Sequence, residues 1–335
     1  MKYKNINNSI ETSLYNEKDY ISLYTTNESS IFNFTYKEGS SFFKNTSIKK
    51  KITHIGSTVL KKDYYDLETA YAYGGFYTNS DDPTFMERAF SKYKKRMKEE
   101  NIIAEFLRFH PFNPFPKKYY KNFDFFNYDR DTVIIDLTKN YNYVTENYSY
   151  SLKRNIKKAK NNFLRYEQLI KNNENIKLFY NLYYQTMYKN NANKFYFFSL
   201  EYFKKLFQLP TISLHGVYYK SKIINMIILI EDKMVLHYHL GATNPDYYSL
   251  NTNPFLFDEI IKNNIDKFNY FYLGGGRSSS DKDSLYKFKK KFSSQTMPFY
   301  IAGNIYNNDI FTEYNNIWKQ QNNDINYFLK YRIET

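Results

Sequence analysis

The sequence predicts a mixed α/β chain built as two similar lobes, and three observations carry that prediction. A strand–helix–strand pattern occurs twice. In the first half it reads "YYDLETAYAYGG", "TFMERAFSKYKKRMKEEN" and "IIAEFLRF"; in the second, "MVLHYHLGA", "FLFDEIIKNNIDKF" and "NYFYLGGG". Both helices follow the same punctuation, Asp82-Pro83 and Asn253-Pro254, which suits an N-cap and a first helical residue. Each also carries one apolar stripe, Phe85, Ala89, Tyr93 and Met97 in the first and Phe257, Ile260, Ile261 and Ile265 in the second, the spacing of a helix that lays one face on a sheet. Each unit reads as a βαβ crossover, so each lobe is a mixed twisted sheet flanked by helices.

Between the two units, "NYSYSLKRNIKKAKNNFLRY" places Leu152, Ile156, Ala159 and Phe163 on one helical face. Lysines and arginines take the rest, and no acid occurs between Glu146 and Glu167. The stretch "NIKLFYNLYYQTMYKNNANKFYFFSLEYFKKLF" predicts two helices broken around "KNNANK". Then "ISLHGVYYKSKIINMIILIEDKMVLHYHLG" predicts three strands with turns at "YKSK" and "EDK". The first lobe is assigned to residues 1–140 and the second to 141–304.

Composition narrows the function. An apolar share of 42% supports a folded core. The absence of cysteine excludes disulfides, thiolate metal sites and a thiol nucleophile. The start has no signal-peptide core, and the most apolar run, "IINMIILI", is stopped by "EDK", too short to span a bilayer. The expectation is a cytoplasmic protein without a transmembrane segment, in peripheral contact with the inner membrane face at most. The net charge of +14 favours polyanionic partners. The 38 tyrosines and 30 phenylalanines accompany abundant Lys, Asn and Ile, residues with AT-rich codons, so genome bias accounts for most of the aromatic excess.

Six segments occur in an order that resembles the FemAB-like proteins: "DLETAYAYGG", "AEFLRFHPF", "SLKRNIKKA", "TMYKNNANKFYFFS", "YHLGA" and "YLGGGRSSSDKDSLYKFKKKFS". These are peptidoglycan-bridge aminoacyltransferases and their relatives, built from two GNAT-type acyltransferase lobes, and the resemblance covers roughly residues 52–300. It implies two GNAT-like lobes, with residues 305–335 completing the first. It also implies transfer of an acyl group to an amine, with aminoacyl-tRNA as donor and a nucleotide- or lipid-linked cell-wall precursor as acceptor. The donor is then a co-substrate, and no tightly bound cofactor is expected. The first motif departs from the family's Pro-Tyr-Gly-Tyr-Gly-Gly-Pro at Ala70, Ala72 and Phe76. The long helical hairpin of some tRNA-using members has no room here.

A CoA-dependent GNAT lobe wraps pyrophosphate with Gln/Arg-x-x-Gly-x-Gly/Ala before a helix. The matching stretches here, "FYTNSDDP" and "SLNTNP", hold no glycine, and Asp81 and Asp82 repel a phosphate. An acyl-CoA or acyl-carrier donor acting on an amino sugar of a surface polysaccharide therefore stands as the alternative. A basic tRNA- or membrane-surface-binding protein without catalysis is the second.

Individual residues follow from this reading. The basic helix is either a solvated face or an anion site; its lack of acids favours Arg154, Lys157 and Lys158 as phosphate contacts. Arg108, at a strand end, suits bidentate grip of a phosphate or carboxylate. His237 and His239 alternate along one strand, with no further metal ligand identified. Of the two, His239 beside Gly241 is the candidate base. The resemblance puts Tyr73, Gly74 and Gly75 at the acceptor and Tyr196 near the transfer cleft. Phe288 and Phe292 read as core anchors, which turns Lys289 elsewhere, toward the acyl carbonyl or into solvent. Three consecutive glycines, Gly274, Gly275 and Gly276, read as clearance for a substrate, with Arg277 and Lys289 as anion contacts beside it.

Overall fold

The computed structural model describes residues 13–322, 325 and 327–333. Residues 1–12, 323, 324, 326, 334 and 335, which the sequence reading assigns to the first lobe, lie outside the described residues.

Strands β1 (Ser29–Glu38) and β2 (Ser41–Lys51) form a hairpin through Gly39, whose φ of +57° suits a residue without a Cβ. Strand β3 (Tyr65–Glu68) pairs antiparallel with β2. Helix α1 (Pro83–Glu99) then crosses to β4 (Ile102–Arg108), which lies parallel to β3. Helix α1 starts as the sequence predicts. Asp82 accepts from Thr84 N at 2.9 Å, Pro83 opens the helix, and Phe85, Ala89, Tyr93 and Met97 are buried. After the short helix α2 (Phe115–Tyr119), strand β5 (Phe125–Asp136) carries the chain out of its first compact unit at Asp129.

The second unit continues with α3 (Tyr141–Glu146), α4 (Tyr150–Asn161), β6 (Arg165–Leu169), α5 (Asn173–Lys189) and α6 (Leu200–Gln208). An antiparallel run of β7 (Ile212–Tyr219), β8 (Lys222–Asp232) and β9 (Val235–Thr243) follows. Helix α7 (Thr252–Asn264) crosses to β10 (Tyr270–Gly274), and α8 (Ser284–Lys290) closes the unit. Strand β11 (Thr296–Ile305) returns the chain to the first unit at Pro298, and α9 (Asn308–Gln321) ends the regular structure.

Strand order is β1-β2-β3-β4-β11 in the first unit and β5-β10-β9-β8-β7-β6 in the second. Each therefore contains one parallel pair, β3 with β4 and β9 with β10, followed by an antiparallel strand. That last strand is exchanged in sequence: β11 serves the first unit and β5 the second. Arg332 fastens the C-terminal segment to the first unit, with Nε and Nη2 donating to the Asp66 carboxylate at 2.7 and 2.8 Å. It also donates to the carbonyls of Lys50 and Lys51.

In the second unit α4 and α7 pack on one face of the sheet through Leu152, Ile156, Ala159, Phe257, Ile260 and Ile261. Two local expectations change. Helix α7 starts at Thr252 after Asn251, and Asn253 serves elsewhere, accepting from Asn225 Nδ2 at 2.7 Å. Phe163 leaves the apolar face because α4 ends at Asn161; it stands 90% exposed in the left-handed turn that follows, φ +55°. Among the described residues, no helix is long and apolar enough to cross a membrane.

Candidate active site

The parallel pair of the second unit is short. Val235, Leu236 and His237 pair with Tyr270, Phe271 and Tyr272, and there the ladder stops. Strand β9 remains paired with β8 as far as Thr243, so from Tyr238 onward its other edge parts from β10. Strand β10 ends at Gly274, whose φ of +75° turns the chain into the glycine loop.

Lys289 lies in this gap. It is 4% exposed, its Nζ donates to the Gly275 carbonyl at 2.7 Å, and it sits 5.3 Å from the Tyr238 ring centroid. It thus bridges the edge of β9 to the end of β10 just beyond their last pair. Burial pulls its ammonium down to about 7; Asp283 opposes that shift and Arg130 adds to it. The packing that puts it there is local. Phe288 and Phe292 meet edge to face 5.4 Å apart and both pack on Phe257 of α7, which leaves Lys289 facing the sheet.

The triple glycine is explained by the chain's own side chains. A Cβ on Gly275 would come within 2.7 Å of Arg130 Cδ, and one on Gly276 within 2.5 Å of Asp283 Oδ1. Arg130 Nη1 donates to the Gly276 carbonyl at 2.9 Å. Asp283 accepts from the backbone of Leu285 and Tyr286 at 2.9 Å and of Arg277 and Ser278 at 3.1 Å. Burial raises the Asp283 carboxyl, but these four N–H groups outweigh it and hold it below its ordinary value. The space that the sequence reading left for a substrate is filled by Arg130 and Asp283, and the glycines permit that closure.

The end of α5 completes the frame. Thr186, the first residue of "TMYKNNANKFYFFS", receives the Thr243 N–H at 3.0 Å and donates to the Thr243 carbonyl at 3.2 Å. Asn190 accepts from Arg277 Nη2 at 3.2 Å. The structure therefore brings together Gly274, Gly275, Gly276, Arg277 and Lys289, and adds Arg130, Thr186, Asn190, Tyr238 and Asp283. Asp283 was open to prediction as the N-cap of α8 in "DKDSLYKF". Arg130 was not, since nothing local marks a partner so distant in sequence.

Other expected residues stand apart from Lys289. Alternation along β9 sends Tyr238 to the α7–α8 face and His239 to the opposite one, where its Nε2 lies 3.5 Å from Tyr202 Oη of α6. Burial pushes the His239 imidazole down to about 3, so the near-neutral titration that recommended it as a base is lost. Tyr196 is 38% exposed and its carbonyl accepts from Tyr183 Oη. Arg154, Lys157 and Lys158 are exposed on α4.

The remaining candidates lie in the first unit, where the parallel pair closes again. Gly74 bridges to Phe109, and its N–H donates to the Arg108 carbonyl at 2.9 Å. Gly75 has φ +87° with Phe109 where a Cβ would sit, and Tyr73 packs edge to face on Tyr15, His110 and Phe299. Arg108 grips Glu68 at 2.8 Å in place of the substrate anion expected of it. Burial raises the Glu68 carboxyl, but Arg108 and Lys50 prevail and hold it at about 2.

Comparison with solved structures identifies the fold. FemX superposes with a TM-score of 0.72 over 93% of this chain and 98% of its own, at 12% identity. The chain has the fold of FemX. L-PGS from Bacillus licheniformis follows at TM-score 0.55 and 10% identity, over 90% of this chain and 91% of its own. The C-terminal domain of a protein from Agrobacterium fabrum, described as a lysylphosphatidylglycerol synthetase, gives 0.53 and 13% over 91% and 93%. No protein-family model and no curated protein sequence matches the chain. The FemX fold is the mixed α/β architecture that the ordered sequence motifs implied.

Proposed function

We propose that the chain is an N-acyltransferase that moves an aminoacyl group from aminoacyl-tRNA to an amino group of a cell-wall precursor. The observation that carries this reading is Lys289, a buried ammonium in the opening of a parallel strand pair, within a FemX fold. A second structural neighbour is described as the C-terminal domain of a lysylphosphatidylglycerol synthetase, which supports an aminoacyl group as the one moved.

Among the described residues one Lys289 N–H is committed, to Gly275, which leaves two to offer an acyl oxygen. The acceptor nitrogen attacks the ester carbonyl, a C–N bond forms, and the oxygen takes the negative charge of a tetrahedral intermediate beside the ammonium. Collapse breaks the bond to the ribose oxygen, which leaves with the proton that the amine gives up. The residues of the glycine loop hold Lys289 in line, so the side chain needs no reorganisation as charge develops.

The starts of the crossover helices disfavour CoA. Asp82 already caps α1, and Asp81 pairs with Lys118. At α7, Thr252 and Asn253 accept from Asn225 at 3.0 and 2.7 Å. A pyrophosphate at either place would meet carboxylates or committed side chains instead of a glycine cradle.

The test incubates the protein separately with charged tRNA and with acyl-CoA, against cell-wall precursor and amino-sugar acceptors. Product from charged tRNA on a precursor is expected. Product from acyl-CoA alone overturns the donor, and tRNA retention without any product points to a non-catalytic binding protein.

A further inference from the structure

Helix α4 has one face packed on the core and one that no described residue covers. Leu152, Ile156 and Ala159 hold it to the core, so it is a fixed platform. Tyr150, Arg154, Lys157 and Lys158 recur at intervals of three and four residues on the outward side, and all are exposed. Of the nearby acids, Asp258 is buried and answered by Lys160 at 3.0 Å, and Glu167 pairs with Arg165. Glu146 stands at the flank, where its carbonyl accepts from Lys153 Nζ at 3.1 Å. Among the described residues, no carboxylate forms an ion pair with Arg154, Lys157 or Lys158.

The ends of the stripe are aromatic. Tyr150 is 82% exposed at the helix start and Phe163 is 90% exposed just past its end. We infer that the outward face of α4 docks on an anionic membrane surface, its cations on lipid phosphates and its two end rings at headgroup depth. Aromatic rings favour that interfacial layer, and lysines and arginines near it are drawn to anionic lipid. Duplex RNA would satisfy the cations equally, but its grooves and phosphates offer no apolar layer for two rings at the helix ends. The stripe also begins beside the candidate site, because Ser149, the cap of α4, donates its N–H to the Lys291 carbonyl at 2.9 Å, two residues beyond Lys289. This inference does not rest on the transferase reading, and its test uses neither donor nor acceptor.

The test sediments the full chain with phosphatidylcholine vesicles and with equimolar phosphatidylglycerol–phosphatidylcholine vesicles. Binding to the anionic vesicles alone is expected, weakening as salt rises. Tyr150→Ser with Phe163→Ser should weaken it about tenfold, and Arg154→Glu with Lys157→Glu should abolish it. Both double variants replace exposed side chains, and equal melting temperatures will show that each is folded. Retention of uncharged tRNA on filters should be unchanged in the aromatic variant. Absence of vesicle binding, or vesicle binding indifferent to both double variants, overturns the inference. So does tRNA retention that falls with the rings, which would assign the face to RNA.

Discussion

The two units carry the same module, a parallel strand pair joined by a helix and followed by a short helix, yet they treat the parting of the strands oppositely. In the first unit, β3 and β4 separate after Glu68 and Phe106 and are rejoined by Gly74 and Phe109. Tyr73, His110 and Tyr15 fill the neighbourhood with ring contacts, and the Arg108 charge is spent on Glu68. In the second unit, β9 and β10 part after His237 and stay apart, with Lys289 between them. One module is thus closed, its charges holding the fold, and the other is open, with no carboxylate ion-paired to Lys289 among the described residues. The proposed chemistry is therefore assigned to the second.

That contrast can be broken most forcefully through Arg332. Its pair with Asp66, which is 1% exposed at the side chain, ties the returning C-terminus to β3. Arg332→Ala leaves the carboxylate buried, and chemical denaturation should show a loss of about 3–5 kcal/mol. A loss under about 1 kcal/mol would mean the charges of the first unit do not hold its fold.

Lys289 should behave in the opposite sense. Its folded value is about 7 against an ordinary 10.5, so between these limits the unfolded chain binds more protons and stability rises with pH. The burden on the fold is full below pH 7 and gone above the unfolded value. Lys289→Met should therefore stabilise by about 2–4 kcal/mol at pH 6, with the gain fading toward pH 10. Melting curves across that range check it, and a pH-independent difference would contradict it.

The glycine loop offers a smaller test. Gly276→Ala drives a Cβ into the Asp283 carboxylate and should cost about 1–3 kcal/mol by releasing backbone N–H groups from it. If calorimetry finds no change, Asp283 does not hold the loop. The smallest effect belongs to Ala72, which sits at φ +73° where the motif it resembles has glycine. Ala72→Gly should gain up to about 1 kcal/mol, read as a rise in melting temperature.

How much was legible follows from the range of the interactions. The apolar stripes of α1 and α7, the cap at Asp82 and the turns between β7, β8 and β9 are written within a few residues, and the sequence discloses them. The ordered motifs also disclosed the fold. The role of the three glycines was hidden, because the side chains that need the space come from Arg130, on a strand far earlier in the chain, and from Asp283 across the loop. The contrast between Lys289 and His239 was half legible: Phe288 and Phe292 disclosed themselves as anchors, but not whether Lys289 then faced the sheet or solvent. Both are buried, but only packing of Phe288 and Phe292 on Phe257 aims the lysine into the gap, while alternation in β9 turns the histidine away.

In the proposed mechanism the ammonium of Lys289 stabilises the transfer intermediate in the open module. Single-turnover transfer from aminoacyl-tRNA by the wild-type chain and by Lys289→Met tests it most directly, measured from pH 6 to pH 9. The rate should be about 10²–10³-fold lower in the variant near pH 7. The wild type should also show an alkaline limb near pH 7 that the variant lacks. Transfer by Lys289→Met at the wild-type rate would contradict it.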